Sequence, residues 1–173
     1  MTNPTLETLK SRRSVRAYLP KQIEEDALQA ILEAGTYAAT GMNRQSPIIL
    51  CIQDPETREQ LRRLNAGVMG SDRDPFYGAP TVLAVLADRS ILTHEEDASL
   101  VIGNMMNAAF SVGVDSCWIH RAKEEFDTAE GRALLASLGI EGDYVGVGHL
   151  ILGYRDGELP PTRPRKENYI YRI

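Results

Sequence analysis

The chain has 173 residues, 43% hydrophobic and 25% charged, with a formal net charge of −5 at pH 7. That length suits one domain, residues 1–173, with a sizeable core. The acidic balance argues against a partner such as nucleic acid held on a broad basic face, and the absence of any run of about 18 uninterrupted apolar residues argues against a membrane span.

Met1-Thr2-Asn3-Pro4 lacks the charged-then-apolar pattern of a secretion signal. Thr5 to Lys10 reads as a short helix, with Thr5 as its cap, feeding Ser11-Arg12-Arg13-Ser14-Val15-Arg16. Three arginines within six residues stand out on an acidic chain. Guanidinium forks match phosphate oxygens bidentately and a serine hydroxyl adds a short hydrogen bond, so the cluster suits a small phosphorylated ligand. The alternative is a solvated helix end with ordinary surface arginines.

Ile23 to Ala39 is the next expected helix, with Leu28, Ile31, Leu32 and Gly35 as its buried stripe and Glu24, Glu25 and Asp26 in its first turn. Thr40 to Pro47 is a loop by composition, offering a hydroxyl, carboxamides and a bare glycine backbone. Ile48 to Gln53 is a continuous apolar strand expected to be buried on both faces. A helix from Glu56 to about Asn65 follows, then a glycine- and aspartate-containing stretch, Gly67 to Tyr77, read as a mobile loop. Thr81 to Ala87 is a second apolar strand.

Glu95 to Val112 is the longest helix, and from Ala98 onward it is apolar nearly all round. Such a helix must be covered on all sides, by this chain's own core or by a second subunit. Val114 to Ile119 is a third strand ending at His120-Arg121, and Phe126 to Leu138 a helix. Tyr144 to Leu152 is a fourth strand whose Gly146 and Gly148 allow close approach by a ring or another backbone. The tail from Gly153 carries three prolines and a second basic knot, Arg163, Arg165 and Lys166. It ends in the strand-like alternation Tyr169 to Ile173, which suits pairing with a sheet edge.

Cys51 and Cys117 both lie in apolar runs, which suits reduced, buried thiols of a cytoplasmic protein and not a disulfide. His94, His120 and His149 are scattered, with no partners at zinc-binding spacing. His120, at a strand end, reads as a structural residue and not a catalytic one.

Taken in order, Arg12-Arg13-Ser14-x-Arg16, Asn43-x-Gln45-x-Pro47, Gly113-Val114-x-Ser116-Cys117-Trp118-Ile119 and Pro164-Arg165-Lys166 resemble the FMN-dependent nitroreductase family, from about Leu6 to Ile173. The resemblance implies an α+β, three-layer sandwich: a mixed, mainly antiparallel sheet flanked by helices. It also implies a homodimer with the long helix in its interface and the C-terminal tail strand exchanged between subunits. FMN would sit at that interface, with NADH or NADPH as electron donor.

Carried over residue by residue, Arg12, Arg13 and Ser14 are the implied phosphate and flavin-edge contacts, with Arg16 close by. Thr40, Gly41 and Asn43 are the second subunit's contribution to the ring and ribityl side. Trp118, Ile119 and His120 form the segment along the isoalloxazine, and Arg165 with Lys166 supplies a second phosphate ligand. Arg13 or Arg16 is the implied positive charge near the ring's N1–C2 carbonyl edge. No side chain is implied as a catalytic acid, base or nucleophile.

The chain departs from the family where it reads Ala39-Thr40-Gly41 in place of Pro-Ser-Ser and Gln45-Ser46-Pro47 in place of Gln-Pro-Trp. It also lacks the helical insertion that covers the site in some members, which implies an open pocket. The implied activity is ping-pong, two-electron reduction of nitroaromatics, quinones or similar small acceptors. The alternatives are another flavin reaction on the same fold, such as dehalogenation or alkene reduction, a non-catalytic flavin-binding sensor, or a domain without flavin.

Overall fold

The structure, a computed structural model, describes residues 1–173. Its helices are α1 (Pro4–Ser11), α2 (Glu25–Thr36), α3 (Pro55–Met69), α4 (His94–Ser111), α5 (Ala122–Asp127) and α6 (Ala129–Ser137). Its strands are β1 (Ile48–Ile52), β2 (Thr81–Asp88), β3 (Asp115–Ile119) and β4 (Tyr144–Gly153), with one 3-10 turn at Gly41–Asn43.

The four strands form one sheet in the order β1-β2-β4-β3. Every neighbouring pair is antiparallel, with Leu50 opposite Ala84, Val82 opposite Ile151 and Trp118 opposite Leu150. The sheet is therefore wholly antiparallel within the chain and not mixed. The one parallel contact is an isolated bridge from Ser14 to Ser116 on the outer edge of β3.

Alternation along β2 builds two cores. Val82, Ala84 and Leu86 face Leu61 of α3, Phe126 of α5 and Leu135 of α6. Leu83, Val85 and Ala87 face Leu28 and Ile31 of α2 and Ile102 and Met105 of α4. This is the expected three-layer α+β sandwich, and β2, in the middle, is buried on both faces. Gly35 is where α2 meets α4: a Cβ there would lie 2.8 Å from Met105 Cγ.

The same reasoning fails for β1. Ile48 to Leu50 are half-buried, Cys51 is exposed and only Ile52 is fully covered. β1 is an edge strand, so its apolar run lacks a neighbour on one side. Cys117 is buried as expected, and both cysteines are free. Likewise α4 is not covered on all sides within one chain: Leu100 is 50% exposed, and Val112, which caps its C-terminus, 43%.

Local chemistry moves several boundaries. Asn3, and not Thr5, caps α1, its side chain accepting from Leu6 N at 2.9 Å with Pro4 at the first helical position. α2 begins two residues late because Ile23, although buried, precedes the helix. α3 runs four residues past Asn65 and stops at Gly70, whose φ of 64° is the left-handed cap glycine tolerates.

The stretch 67–77 is anchored and not a free loop. Asp74 accepts from Phe76 N and Gly78 N, both at 2.8 Å, and from Arg58 Nη2 at 3.0 Å, while Phe76 is fully buried. The single helix expected over 126–138 is two. Thr128 ends α5 by donating to Glu125 O at 2.7 Å and caps α6 by accepting from Gly131 N at 2.9 Å.

Candidate functional site

The arginine cluster begins where α1 ends. Arg12 leaves the helix with ψ at 136°, and the chain then runs extended beside β3, Val15 N donating to Ser116 O at 3.1 Å. That pairing carries Arg12, Ser14 and Arg16 to the edge of the strand holding Cys117, Trp118 and Ile119. Arg16, Trp118, Ile119, His120 and Arg121 line one cleft of about 310 Å³, into which Arg73 also projects.

Arg12 has no carboxylate partner, and its Nη1 is buried without a hydrogen bond. Burial, then the neighbouring Arg13, lowers its pKa from the usual guanidinium value. A buried donor left unpaired is costly, so a group bringing anionic oxygens to this spot would relieve it. Next to Ser14, across the isolated bridge to Ser116, the Cys117 Sγ donates to Trp118 O at 3.5 Å, and burial raises that thiol's pKa.

Arg13 is employed differently. Its Nη1 donates to Lys10 O and to Arg12 O, both at 2.7 Å, and its Nη2 reaches Thr162 Oγ1. It thus ties the end of α1 to the start of the tail.

Trp118 keeps its place because of a glycine. A Cβ on Gly148 would lie 2.5 Å from Trp118 Nε1, and one on Gly146 only 2.3 Å from Ala122 O, so both close approaches expected of the fourth strand occur.

Beneath the cleft lies a buried network that the sequence reading missed. Asn65 Nδ2 donates to His120 O at 3.0 Å and to Glu125 Oε2 at 3.1 Å, and Asn65 Oδ1 accepts from Arg121 Nε at 3.0 Å. His149 Nε2 lies 2.7 Å from the same Glu125 oxygen. Asn65, Glu125 and His149 are all fully buried, and the Phe76 ring meets His149 edge-on at 5.3 Å. Arg121 has a φ of 79°, unusual for a residue with a side chain. The network therefore holds the turn after β3 in a conformation the local sequence would not choose. Asn65 on the apolar stripe of α3 and His149 inside an apolar strand were the available signals.

Thr40, Gly41 and Asn43 lie elsewhere, off the N-terminus of α4. Gly41 N donates to the buried Asp97 at 2.8 Å, and Thr93 Oγ1 donates to the other oxygen of that carboxylate at 3.0 Å. A Cβ on Gly41 would lie 2.3 Å from Thr93 Oγ1. Met42, Asn43 and Gln45 all have φ between 51° and 54°, so Asp97 anchors a strained loop whose Met42 is exposed. Asp97 looked in the sequence like one more acid in a helix's first turn.

The tail basics also stand apart from Arg12. Arg165 folds onto Arg163 O, with Nη2 at 2.8 Å, and Lys166 sits over the Tyr169 ring. The chain thus brings together 12–16 and 118–121, and shows no hydrogen bond or shared cleft joining them to 40–43 or 165–166.

The fold has counterparts among known proteins. At 35% identity, a nitroreductase with bound FMN from Bacteroides fragilis superimposes with a TM-score of 0.91, over 99% of this chain and 100% of that one. One from Desulfitobacterium hafniense, also with bound FMN, gives 0.87 at 24% identity over 99% of each chain, a likeness of fold. An FMN reductase (NAD(P)H) from Bacillus subtilis is 26% identical over 129 residues, 65% of this chain but only 52% of that reductase. No helix is long and apolar enough to cross a membrane. A family model described as the nitroreductase family matches residues 9–154, well over half of the sequence and spanning both cores and the cleft, and the chain belongs to that family.

Proposed function

We propose that the protein is an FMN-dependent NAD(P)H oxidoreductase of 173 residues. It reduces nitroaromatic, quinone or similar small acceptors two electrons at a time, by a ping-pong scheme. The whole chain serves as one FMN-binding domain. The carrying observation is the partnerless guanidinium of Arg12, whose buried Nη1 fits a phosphate oxygen. Bound FMN supplies hydride transfer between a nicotinamide donor and the acceptor.

The chain's own part is to bind and orient. Arg12 and Ser14 take the phosphate and flavin edge, with Arg165 and Lys166 joining when the tail is in place. Arg13 supports them from the end of α1. Arg16 places positive charge at the cleft, and Trp118, Ile119 and His120 run along the ring. Proton exchange with water suffices in a cleft this open, so no side chain is assigned as acid or base.

The expected result is a yellow protein with absorption near ~370 and ~450 nm, bleached by NADH or NADPH without oxygen and restored by a nitroaromatic. Bands that no nicotinamide bleaches would favour a flavin-binding sensor. No bands, even after FMN is offered, would refute the reading.

The second half of the site requires a homodimer. The outer edge of β3 is met at Ser116 by Ser14 and Val15, whereas no strand pairs with the outer edge of β1. Beside it a groove of about 660 Å³ runs between α2 and β1, lined by Leu32, Gly35, Ile49 and Cys51 among others. The tail residues Tyr169, Ile170 and Tyr171 are 70–79% exposed and touch no core. A tail from a second copy pairing on β1 would satisfy both, cover an edge prone to mispairing and bring loop 40–43 of that copy to the flavin. The free thiols agree with a cytoplasmic setting. Sedimentation should give twice the 19.2 kDa of one chain, and deleting Tyr169–Ile173 should weaken the dimer and FMN retention together. A dimer indifferent to that deletion would overturn the tail exchange.

A further inference from the structure

Three guanidinium groups line the cleft beside Trp118: Arg16, Arg73 and Arg121. One carboxylate, Asp74, joins them, and it is already committed to Arg58 and to two backbone amides. None of the three arginines forms an ion pair. On a chain of net charge −5, this concentration of unpaired cations in one concavity marks it for a negative ligand.

Arg121 is the best placed of them. Its Nε is fixed by Asn65 Oδ1 at 3.0 Å, and Asn65 is itself held by His120 O and Glu125. Its two terminal amino groups bond no other protein atom, so the fork presents a free pair of donors on an aimed stem. A guanidinium whose orientation is fixed from below loses less freedom on binding a carboxylate or phosphate than a surface arginine does.

We propose that Arg121, with Arg73, binds the anionic group of a small molecule entering the cleft, and that Asn65 is the positioning residue that aims it. The ligand class is a planar electron acceptor bearing a carboxylate, or the phosphate of the nicotinamide donor. This inference rests on the flavin reading above: Arg16 and residues 118–120 of the same cleft are given there to the cofactor, whereas Arg121 and Arg73 are not.

The test compares 4-nitrobenzoate with 4-nitrobenzamide, which share a shape and differ in charge. Binding to the oxidised, FMN-loaded protein is read from perturbation of the flavin band. Wild type should bind the carboxylate about tenfold more tightly, and Arg121→Gln should abolish that preference while the amide stays within about twofold. Arg121→Lys should restore part of it, because the charge returns without the fork. Asn65→Ala should lower nitrobenzoate affinity with the guanidinium still present; if that variant does not fold, the Gln and Lys variants carry the test.

If the charge preference is absent but Arg121→Gln raises KM for NADH or NADPH with a neutral acceptor, the anion is the donor's phosphate and the site stands. If Arg121→Gln loses FMN, the arginine belongs to the cofactor and the proposal falls. If Arg121→Gln changes none of these, it also falls. Should wild type take up no FMN, the flavin reading fails separately, and calorimetry of nitrobenzoate on the apoprotein still reads the Arg121 site.

Discussion

Replacing Arg12 with alanine is expected to lower FMN affinity by roughly 30- to 150-fold while leaving the apoprotein as stable as before. The first part follows from the loss of a charge-assisted phosphate contact, about 2–3 kcal/mol, at 1.4 kcal/mol per factor of ten. The second follows from what Arg12 lacks in the free chain. Its Nη1 is buried with no acceptor, and its positive charge lies beside Arg13 with no carboxylate to balance it. Removing such a group takes away a desolvated cation and a like-charge neighbour, so the empty protein has nothing to lose there.

FMN titration, by quenching of the free flavin's fluorescence, gives the affinity, and thermal melting without FMN gives the stability. A variant that binds normally refutes the phosphate assignment. A variant that binds weakly but also melts well below wild type would show Arg12 to be a structural residue of the α1 end. Arg13→Ala provides the contrast. Arg13 holds Lys10 O, Arg12 O and Thr162, so its loss should loosen the α1–tail junction in the apoprotein as well.

What the sequence revealed and what it hid divide along physical lines. Helical stripes and strand runs depend on neighbours three, four or two residues away, and Leu28, Ile31 and Gly35 face the core as the periodicity requires. The arginine cluster is equally local and visible at once. Position within the sheet is not local. Ile48–Ile52 and Thr81–Asp88 are both apolar runs, yet one lies at the edge and the other in the middle, and nothing within either run distinguishes them. At Thr128 two local signals compete. An apolar pattern continued through it, while a threonine placed to serve both helix ends prevailed.

The network under the cleft was hidden for another reason. Asn65 and Glu125 are 60 residues apart, and Glu125 and His149 a further 24, so only the packing of α5 against both α3 and β4 brings them together. Arg121 reads as a helix-flanking cation until its left-handed backbone and its bond to Asn65 are seen. The family resemblance reaches Trp118, Ile119 and His120 and stops one residue short of Arg121, which lines the same cleft.

That network also sets the largest stability effect expected in the molecule. Glu125→Ala should destabilise the protein by about 3–5 kcal/mol, the usual consequence of removing one partner from a buried polar pair. Three observations put it in that class. Glu125, Asn65 and His149 have no solvent exposure. One oxygen, Oε2, serves both Asn65 Nδ2 at 3.1 Å and His149 Nε2 at 2.7 Å, so truncation strands His149 and takes from Asn65 Nδ2 one of its two acceptors. Glu125 Oε1 and His149 Nδ1 already lack partners, so neighbouring polar groups offer no reserve to reorganise toward.

Against a total stability of roughly 5–15 kcal/mol for a typical domain, the change is large. For a chain of this size it corresponds to a melting temperature lower by roughly 6–20 °C. Urea unfolding should show a lower midpoint at unchanged slope. A loss under about 1 kcal/mol would mean that the cavity admits water and the pair contributes little. The double variant Glu125→Met with His149→Leu separates polarity from packing. It removes both members, leaves Asn65 bonded to His120 O and Arg121, and should recover most of the lost stability. If stability returns in the double variant while anion binding in the cleft does not, the pair was kept for aiming the turn above it and not for holding the fold together.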